Sequence, residues 1–351
     1  MSGKRLQEFD ALRGIACMLV VLFHYAKYQY LDYGLGWKFR YGVTGVDLFF
    51  MISGFVIYMT LLKTQTIRDF IYLRVTRLFP TYWLAVTITF LFCIITVSYP
   101  ERTSILNYLL NMTMVPSWLS APFLDNSYWT LLVELIFYAI IAFFYFYFKT
   151  IKVLHKSITL LIILFVFNLV SIYTEHGQKI IFYFPIIMYW NLFLSGIVFY
   201  KMKFEGKSSF IYHLIIILNL AFLFLTHEQG GTAMHHVSRI EHLVCNIIFV
   251  ILFYLLIYGK LAIITNKVMV FIGTISYSIY LLHQTIGYIL IEKFYDIFKN
   301  SYISLILTLS IVFIISYLIT NYFEKPFMQW SRNRSGEILK MEFLKRLRLY
   351  K

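Results

Sequence analysis

Residues 13–24 read RGIACMLVVLFH. Nine of the ten residues between the arginine and the histidine are apolar, Gly14 being the exception. Such a run makes a membrane helix, and membrane helices exclude ionisable groups unless those groups have work to do. Arg13 and His24 stand eleven positions apart. At 3.6 residues per turn, that is roughly 20° past three full turns and about 16 Å of rise. Both groups therefore lie on one helix face at different depths. Asp10, three residues before Arg13, is placed to pair with it.

The rest of the chain extends this reading. Of 351 residues, 60% are hydrophobic and only 14% charged, with 35 Phe and 29 Tyr. Mean hydropathy is +0.73. A soluble domain carries about 25% charged residues, so the composition predicts an all-α polytopic membrane protein. Cys17, Cys93 and Cys245 sit far apart in apolar runs and read as packing residues, not a disulfide or metal set. The net charge of +14 fits basic loops that set orientation in a membrane. Nucleic acid is not an expected partner, because no basic patch is interleaved with exposed aromatics. Lys4 and Arg5 followed by an apolar run resemble a signal peptide, but no A-x-A-like site follows, so the run is read as the first span.

A bilayer core of about 30 Å takes roughly 20 residues of helix. Ten segments fit: 11–31, 43–62, 78–99, 127–148, 157–173, 180–200, 209–226, 240–258, 268–291 and 301–322. These make one transmembrane domain, 1–322, followed by a basic tail, 323–351, expected at the membrane surface. Segment 104–115 is too short to span and is expected to be re-entrant or interfacial. With ten spans both termini share a side. That side would hold 23 Lys and Arg against 8 on the other, so both termini are expected to be cytoplasmic.

Several further polar residues interrupt the apolar runs. Arg13 reads either as a headgroup anchor or as part of a site. His24 reads either as a packing histidine or as a general base, since imidazole titrates near neutrality. Asp47, in GVDLFFMISGF (45–55), is placed near the outer end of span two, within reach of a base from a neighbouring helix. Ser53 and Gly54 in the same run read as a small-residue packing surface. Arg74 and Arg77, three apart before span three, share one face at the boundary, suited either to anchoring or to gripping phosphate.

Glu134, in SYWTLLVELIFY (127–138), would lie roughly 10 Å inside its helix, near the depth expected for His24. A carboxylate that meets an imidazole can orient it. His283, in GTISYSIYLLHQTIGY (273–288), falls in the same outer half, with Tyr280 on its face and Tyr277 six residues ahead. Loop 227–242 holds four histidines and two glutamates but matches no zinc-ligand spacing, so it reads as a polar outer loop with no metal expected. A proton-coupled transporter of a glycan or an acyl-bearing metabolite would also use buried His, Glu and Arg. It should show inverted repeats and broken helices in matching halves, and neither is evident.

Taken in order, FDALRGIACMLVVLFH, GVDLFFMISGF, RVTRLFPTYW, YWTLLVELIFY, ISYSIYLLH and FEKP (323–326) resemble the membrane-bound acyltransferase type 3 family. The motifs run from residue 9 to 326, and the ordered set is what makes the resemblance specific. The resemblance implies about ten spans in a bacterial cytoplasmic membrane. It also implies transfer of an acyl group, commonly acetyl, from cytoplasmic acyl-CoA to a carbohydrate hydroxyl. Acceptors in the family include lipopolysaccharide O-antigen, exopolysaccharide and peptidoglycan.

By the same resemblance, Arg13 and His24 match the family's first-helix pair, Arg74 and Arg77 its paired arginines, and Glu134 its fourth-span glutamate. Arg13, Arg74 and Arg77 would then hold the acetyl-CoA phosphates. His24 and Glu134 would be catalytic, and Asp10, Asp47, Tyr280 and His283 would give support. Leu135 and Ile136 depart from the more polar pair of many relatives. Some relatives carry an extracytoplasmic hydrolase-like domain. With 29 residues after the last expected span, none is expected here.

Overall fold

The computed structural model describes residues 7–32, 38–148, 153–171, 174–205, 209–331 and 333. Among them regular structure is entirely helical. Residues 1–6 and 334–351, which include Lys4, Arg5 and most of the expected basic tail, lie outside the described residues.

The helices run in the order α1 (Gln7–Asp32), α2 (Gly45–Leu61), α3 (Ile67–Thr96), α4 (Ile105–Asn111), α5 (Trp129–Phe148), α6 (Val153–Ser171) and α7 (Glu175–Tyr183). They continue with α8 (Ile186–Phe204), α9 (Phe210–Thr226), α10 (Arg239–Ile257), α11 (Lys267–Leu282), α12 (Thr285–Phe298) and α13 (Ser301–Ile319). Eight segments among the described residues are long and apolar enough to cross a membrane, or nine if α11 and α12 form one bent span. The chain is a multi-pass helical membrane protein.

The expected count of ten differs at two places. Segment 180–200 divides into the short α7 and the long α8. Tyr189, Trp190, Asn191, Lys201 and Lys203 make α8 less apolar than the spans, yet it is buried without interruption from Ile186 to Phe199. A helix enclosed by other helices need not be as apolar as one facing lipid. Its polar groups are joined to neighbours: the Trp190 indole donates to the Ser157 carbonyl at 3.0 Å, and Asn219 donates to Ser195 Oγ at 2.9 Å.

The second difference is at 268–291. This stretch breaks after Leu282, and the two halves meet at 80°. Asp125 holds the break: its Oδ2 accepts from Thr285 N at 2.7 Å, and its Oδ1 accepts from Ser127 N at 2.8 Å and Ser127 Oγ at 2.5 Å. One buried carboxylate thus caps the start of α12 and the turn leading into α5.

Two further boundaries move. α3 begins at Ile67, eleven residues before the expected span, so Arg74 and Arg77 lie two to three turns inside a helix rather than ahead of it. The helix that begins as α13 passes through a π-turn at Thr320–Glu324 and continues to Ser331, so residues 323–331 extend the last span. Segment 104–115 forms the seven-residue α4, which buries Asn107 and Asn111 and exposes Ile105, Leu106 and Leu109. Asn111 ties it down, donating to the Pro122 carbonyl at 3.0 Å and accepting from Leu124 N at 3.0 Å.

Two helix pairs approach closely enough to require glycine. A Cβ on Gly14 of α1 would run into the Met269 carbonyl, and one on Gly273 of α11 into the Asp10 carbonyl. Between α2 and α8, a Cβ on Gly54 would meet the Phe193 backbone and one on Gly196 the Met51 carbonyl. Lipid gives helices no hydrophobic reason to associate, so such small-residue crossings carry the packing. Gly54 has the packing role that its sequence suggests.

Candidate active site

A cavity of about 820 Å³, counting the part open to the exterior, lies among α1, α2, α3, α5 and α11. Arg13, Arg74, Arg77, Ser53, Glu134, Tyr138, Tyr277 and Tyr280 line it, with Phe49, Phe50 and Leu131 among its apolar wall. All three arginines singled out in the sequence therefore reach one space, although α1 and α3 supply them from separate parts of the chain.

Their charge environments differ. Arg13 lies 3.9 Å from Asp10, one turn back on the same helix. Arg77 bonds Glu324 in the π-turn after α13, and its guanidinium lies 5.1 Å from the centre of the Tyr277 ring. Among the described residues no carboxylate lies within ion-pair distance of Arg74. Its guanidinium bonds Thr60 Oγ1 at 3.4 Å and lies 6.0 and 5.9 Å from the centres of the Phe70 and Tyr138 rings, while its buried Nε has no acceptor among the described residues. Leaving a buried guanidinium donor unmade is costly, and an anionic oxygen is the group that would satisfy it.

Glu134 accepts from Ser53 Oγ at 2.6 Å and from the Tyr138 hydroxyl at 2.5 Å. Ser53 is thus a hydrogen-bonding member of the cavity rather than packing surface alone. The expected meeting of Glu134 with His24 does not occur. α2 packs between α1 and α5, and the Glu134 carboxylate is spent on Ser53 and Tyr138.

His24 lies outside the cavity lining and meets His283 instead. His283 Nε2 is 3.1 Å from His24 Nδ1, and the rings are centred 5.0 Å apart. His283 is fully buried at the α11–α12 break, with Nδ1 2.7 Å from the Tyr280 carbonyl oxygen. Tyr280 joins the two regions. It lines the cavity, its ring lies 5.4 Å from that of His283, and its hydroxyl bonds Thr130 Oγ1 at 2.7 Å and the Ser127 carbonyl at 3.0 Å. Phe49, also on the cavity wall, packs edge-on to Tyr280 at 5.7 Å.

Asp47 belongs to a separate buried group. Its Oδ2 lies 2.7 Å from His242 Nε2 and 3.0 Å from Asn246 Nδ2, while His242 Nδ1 lies 3.0 Å from His227 Nδ1. His227 Nε2 is 3.1 Å from the Val237 carbonyl oxygen, which can only accept, so His227 carries a proton on Nε2. The row therefore needs a proton at His227 Nε2, one between the two Nδ1 atoms and one between His242 and Asp47, which is one more than two neutral imidazoles carry. The reading of 227–242 as a simple polar outer loop is corrected accordingly, since His227 and His242 are buried. Among the described residues no group of three or more His, Cys, Asp or Glu is arranged to hold a metal ion.

Sequence reasoning passed over Tyr138, Asp125 and the ion-pair role of Glu324. Tyr138 follows Glu134 by four residues, the helical repeat that puts both on one face. Asp125 precedes the SYW start of α5, where a capping residue belongs. Glu324 lies in the FEKP motif, but only the fold brings it to Arg77.

A family model described as an acyltransferase domain, of the type 3 class, matches residues 6–323. A protein of Acidianus two-tailed virus, named "Putative acetyltransferase ORF330", is 25% identical over 277 residues, covering 78% of this chain and 80% of its own. No solved structure matches the chain. With nearly its whole length matched by the family model, the chain belongs to the membrane-bound acyltransferase type 3 family and is a multi-pass acyltransferase.

Proposed function

We propose that this acyltransferase moves an acyl group, acetyl in the simplest case, from acyl-CoA to a carbohydrate hydroxyl. The reading has it in a bacterial cytoplasmic membrane, with both termini and the donor on the cytoplasmic side. One observation carries the choice of donor: three arginines converge on one cavity, and Arg74 among them makes no ion pair with a carboxylate among the described residues. The phosphates of coenzyme A are anions of the size and geometry that guanidinium forks grip.

In this reading Arg74 and Arg77 hold the phosphates, with Arg13 at the same mouth. The pantetheine arm extends along Phe49, Phe50 and Leu131 and past Tyr280 toward His24. His24 takes the proton of the acceptor hydroxyl as its oxygen attacks the thioester carbonyl. The carbon–sulfur bond breaks and the coenzyme A thiolate leaves, to be reprotonated by the imidazolium. Glu134, held by Ser53 and Tyr138, balances the arginine charge and shapes the cavity instead of backing the imidazole.

The test is release of coenzyme A thiol by purified protein supplied with labelled acetyl-CoA and surface glycans. Glycan-dependent release accompanied by label on the glycan supports the reading. Absence of release across acyl donors and glycans, from protein that is folded and binds none of the donors, removes it.

A further inference from the structure

We propose that His283 is a positioning residue that fixes the tautomer of His24, so that His24 offers its lone pair from Nε2. This rests on the reading of His24 as the base, and it adds a residue that acts through His24 without touching substrate.

The protons on the ring nitrogens of His24 and His283 can be counted from their partners. The Tyr280 carbonyl oxygen, 2.7 Å from His283 Nδ1, can only accept, so His283 carries a proton on Nδ1. As a neutral ring, His283 then bears its lone pair on Nε2, which faces His24 Nδ1 at 3.1 Å. The Val20 carbonyl oxygen, one turn back on α1, lies 3.0 Å from the same His24 Nδ1. Two acceptors thus converge on one nitrogen, and a proton on His24 Nδ1 serves both. The opposite assignment would protonate both nitrogens of His283 and turn a lone pair of His24 toward the Val20 carbonyl. It would also place a charge on a fully buried ring that no carboxylate bonds among the described residues.

The support behind His283 is rigid. Its backbone N–H closes the last turn of α11 on Ile279 at 2.9 Å, and Asp125 fixes the first residue of α12 two positions later. Tyr280, whose carbonyl orients the His283 ring, is itself pinned through its hydroxyl to Thr130 and Ser127. The 80° break therefore presents an imidazole acceptor to His24 at a fixed height. A base whose lone pair must face the incoming hydroxyl loses its function when the wrong nitrogen carries the proton.

The experiment uses full-length protein with 15N in its histidine rings, in the wild-type form and as His283→Leu, His283→Met, His283→Gln and His24→Ala. Loss of signals in His24→Ala identifies the two His24 nitrogens. Wild type should show His24 protonated at Nδ1 and bare at Nε2. Leu or Met at 283 removes the acceptor and should move part of His24 to the other tautomer, while the Gln side-chain carbonyl should retain the wild-type state. In parallel, kcat should fall about 10²-fold or more for Leu and Met at an unchanged KM for acyl-CoA, and Gln should recover most of it. Identical His24 signals in wild type and in the Leu and Met variants, or Gln no better than Leu in kcat, would overturn the proposal. Full activity of His24→Ala would instead remove the reading of His24 as base, and the ring spectra would still decide the tautomer.

Discussion

The Arg77 guanidinium bonds the Glu324 carboxylate across 247 residues of chain, while Arg74, three positions earlier on the same helix, bonds a threonine hydroxyl and lies over the Phe70 and Tyr138 rings. Two arginines that look alike in the sequence are therefore in different electrostatic states. Arg74→Ala removes donors aimed at the proposed phosphate and leaves no carboxylate stranded. Its KM for acyl-CoA should rise about tenfold to a hundredfold, from the loss of ~1.5–3 kcal/mol of charge-assisted hydrogen bonding, with melting temperature nearly unchanged. Arg77→Ala leaves Glu324 buried beside Ser278 without its cation, at a cost of about 3–5 kcal/mol in stability, so this variant should melt earlier as well. Thermal melts in detergent beside donor saturation curves separate the two. Equal melting of both variants would contradict the asymmetry.

Removing His24 tests the chemistry with little effect on packing, because the ring is half-buried and at the edge of the apolar core. His24→Ala should lower the acylation rate about 10²- to 10⁴-fold, the range that acid–base groups contribute, with protein abundance maintained. Whole-cell glycan mass spectrometry beside quantitative blotting reads both. Reduced abundance with unchanged activity per molecule would assign His24 to packing.

Asp47 lies outside the arginine cavity, bonded to His242 and Asn246, so its substitution should act on stability first. Asp47→Ala leaves the His227–His242 row without the carboxylate that balances its extra proton and should cost about 3–5 kcal/mol. His242→Ala strands the carboxylate and should cost a similar amount. The double variant should cost less than the sum of the two, because each single change leaves a partner unpaired. Melting temperatures of the three proteins give the coupling directly. Additive losses would mean that the two side chains do not share a proton.

Much of this site was legible in the sequence because intramembrane ionisable groups are too costly to be accidental. Arg13, Arg74 and Arg77 were each visible as such, and all three line one cavity. Depth alone could not pair Glu134 with a partner. Two groups at one height on different helices meet only if those helices are neighbours, and α2 intervenes. The same limit hid the pairing of His24 with His283 and of Asp47 with His242, which join residues 259 and 195 positions apart. The span count failed where burial by protein replaces burial by lipid, as in α8, and where a capping carboxylate from elsewhere breaks a helix, as Asp125 does.

That carboxylate gives the last prediction. Asp125 is fully buried and accepts three hydrogen bonds, two from Ser127 and one from the first backbone N–H of α12. The residue at the cap position itself, Gln284, makes no side-chain cap bond, so α12 depends on Asp125 for this group. Asp125→Ala would leave buried donors unmade at both helix starts, and each cap bond is worth about 0.5–2 kcal/mol. The loss should appear as a lower melting temperature together with a fall in kcat, because the freed break no longer holds His283 against His24. Asp125→Asn keeps one carbonyl acceptor and should recover part of the stability. Since an amide cannot accept from both Ser127 and Thr285 through two oxygens, it should recover less of kcat. Hydrogen exchange at Thr285 and the residues that follow it reads the local opening independently of activity. Wild-type protection there in Asp125→Ala would show that the 80° break is held by packing alone.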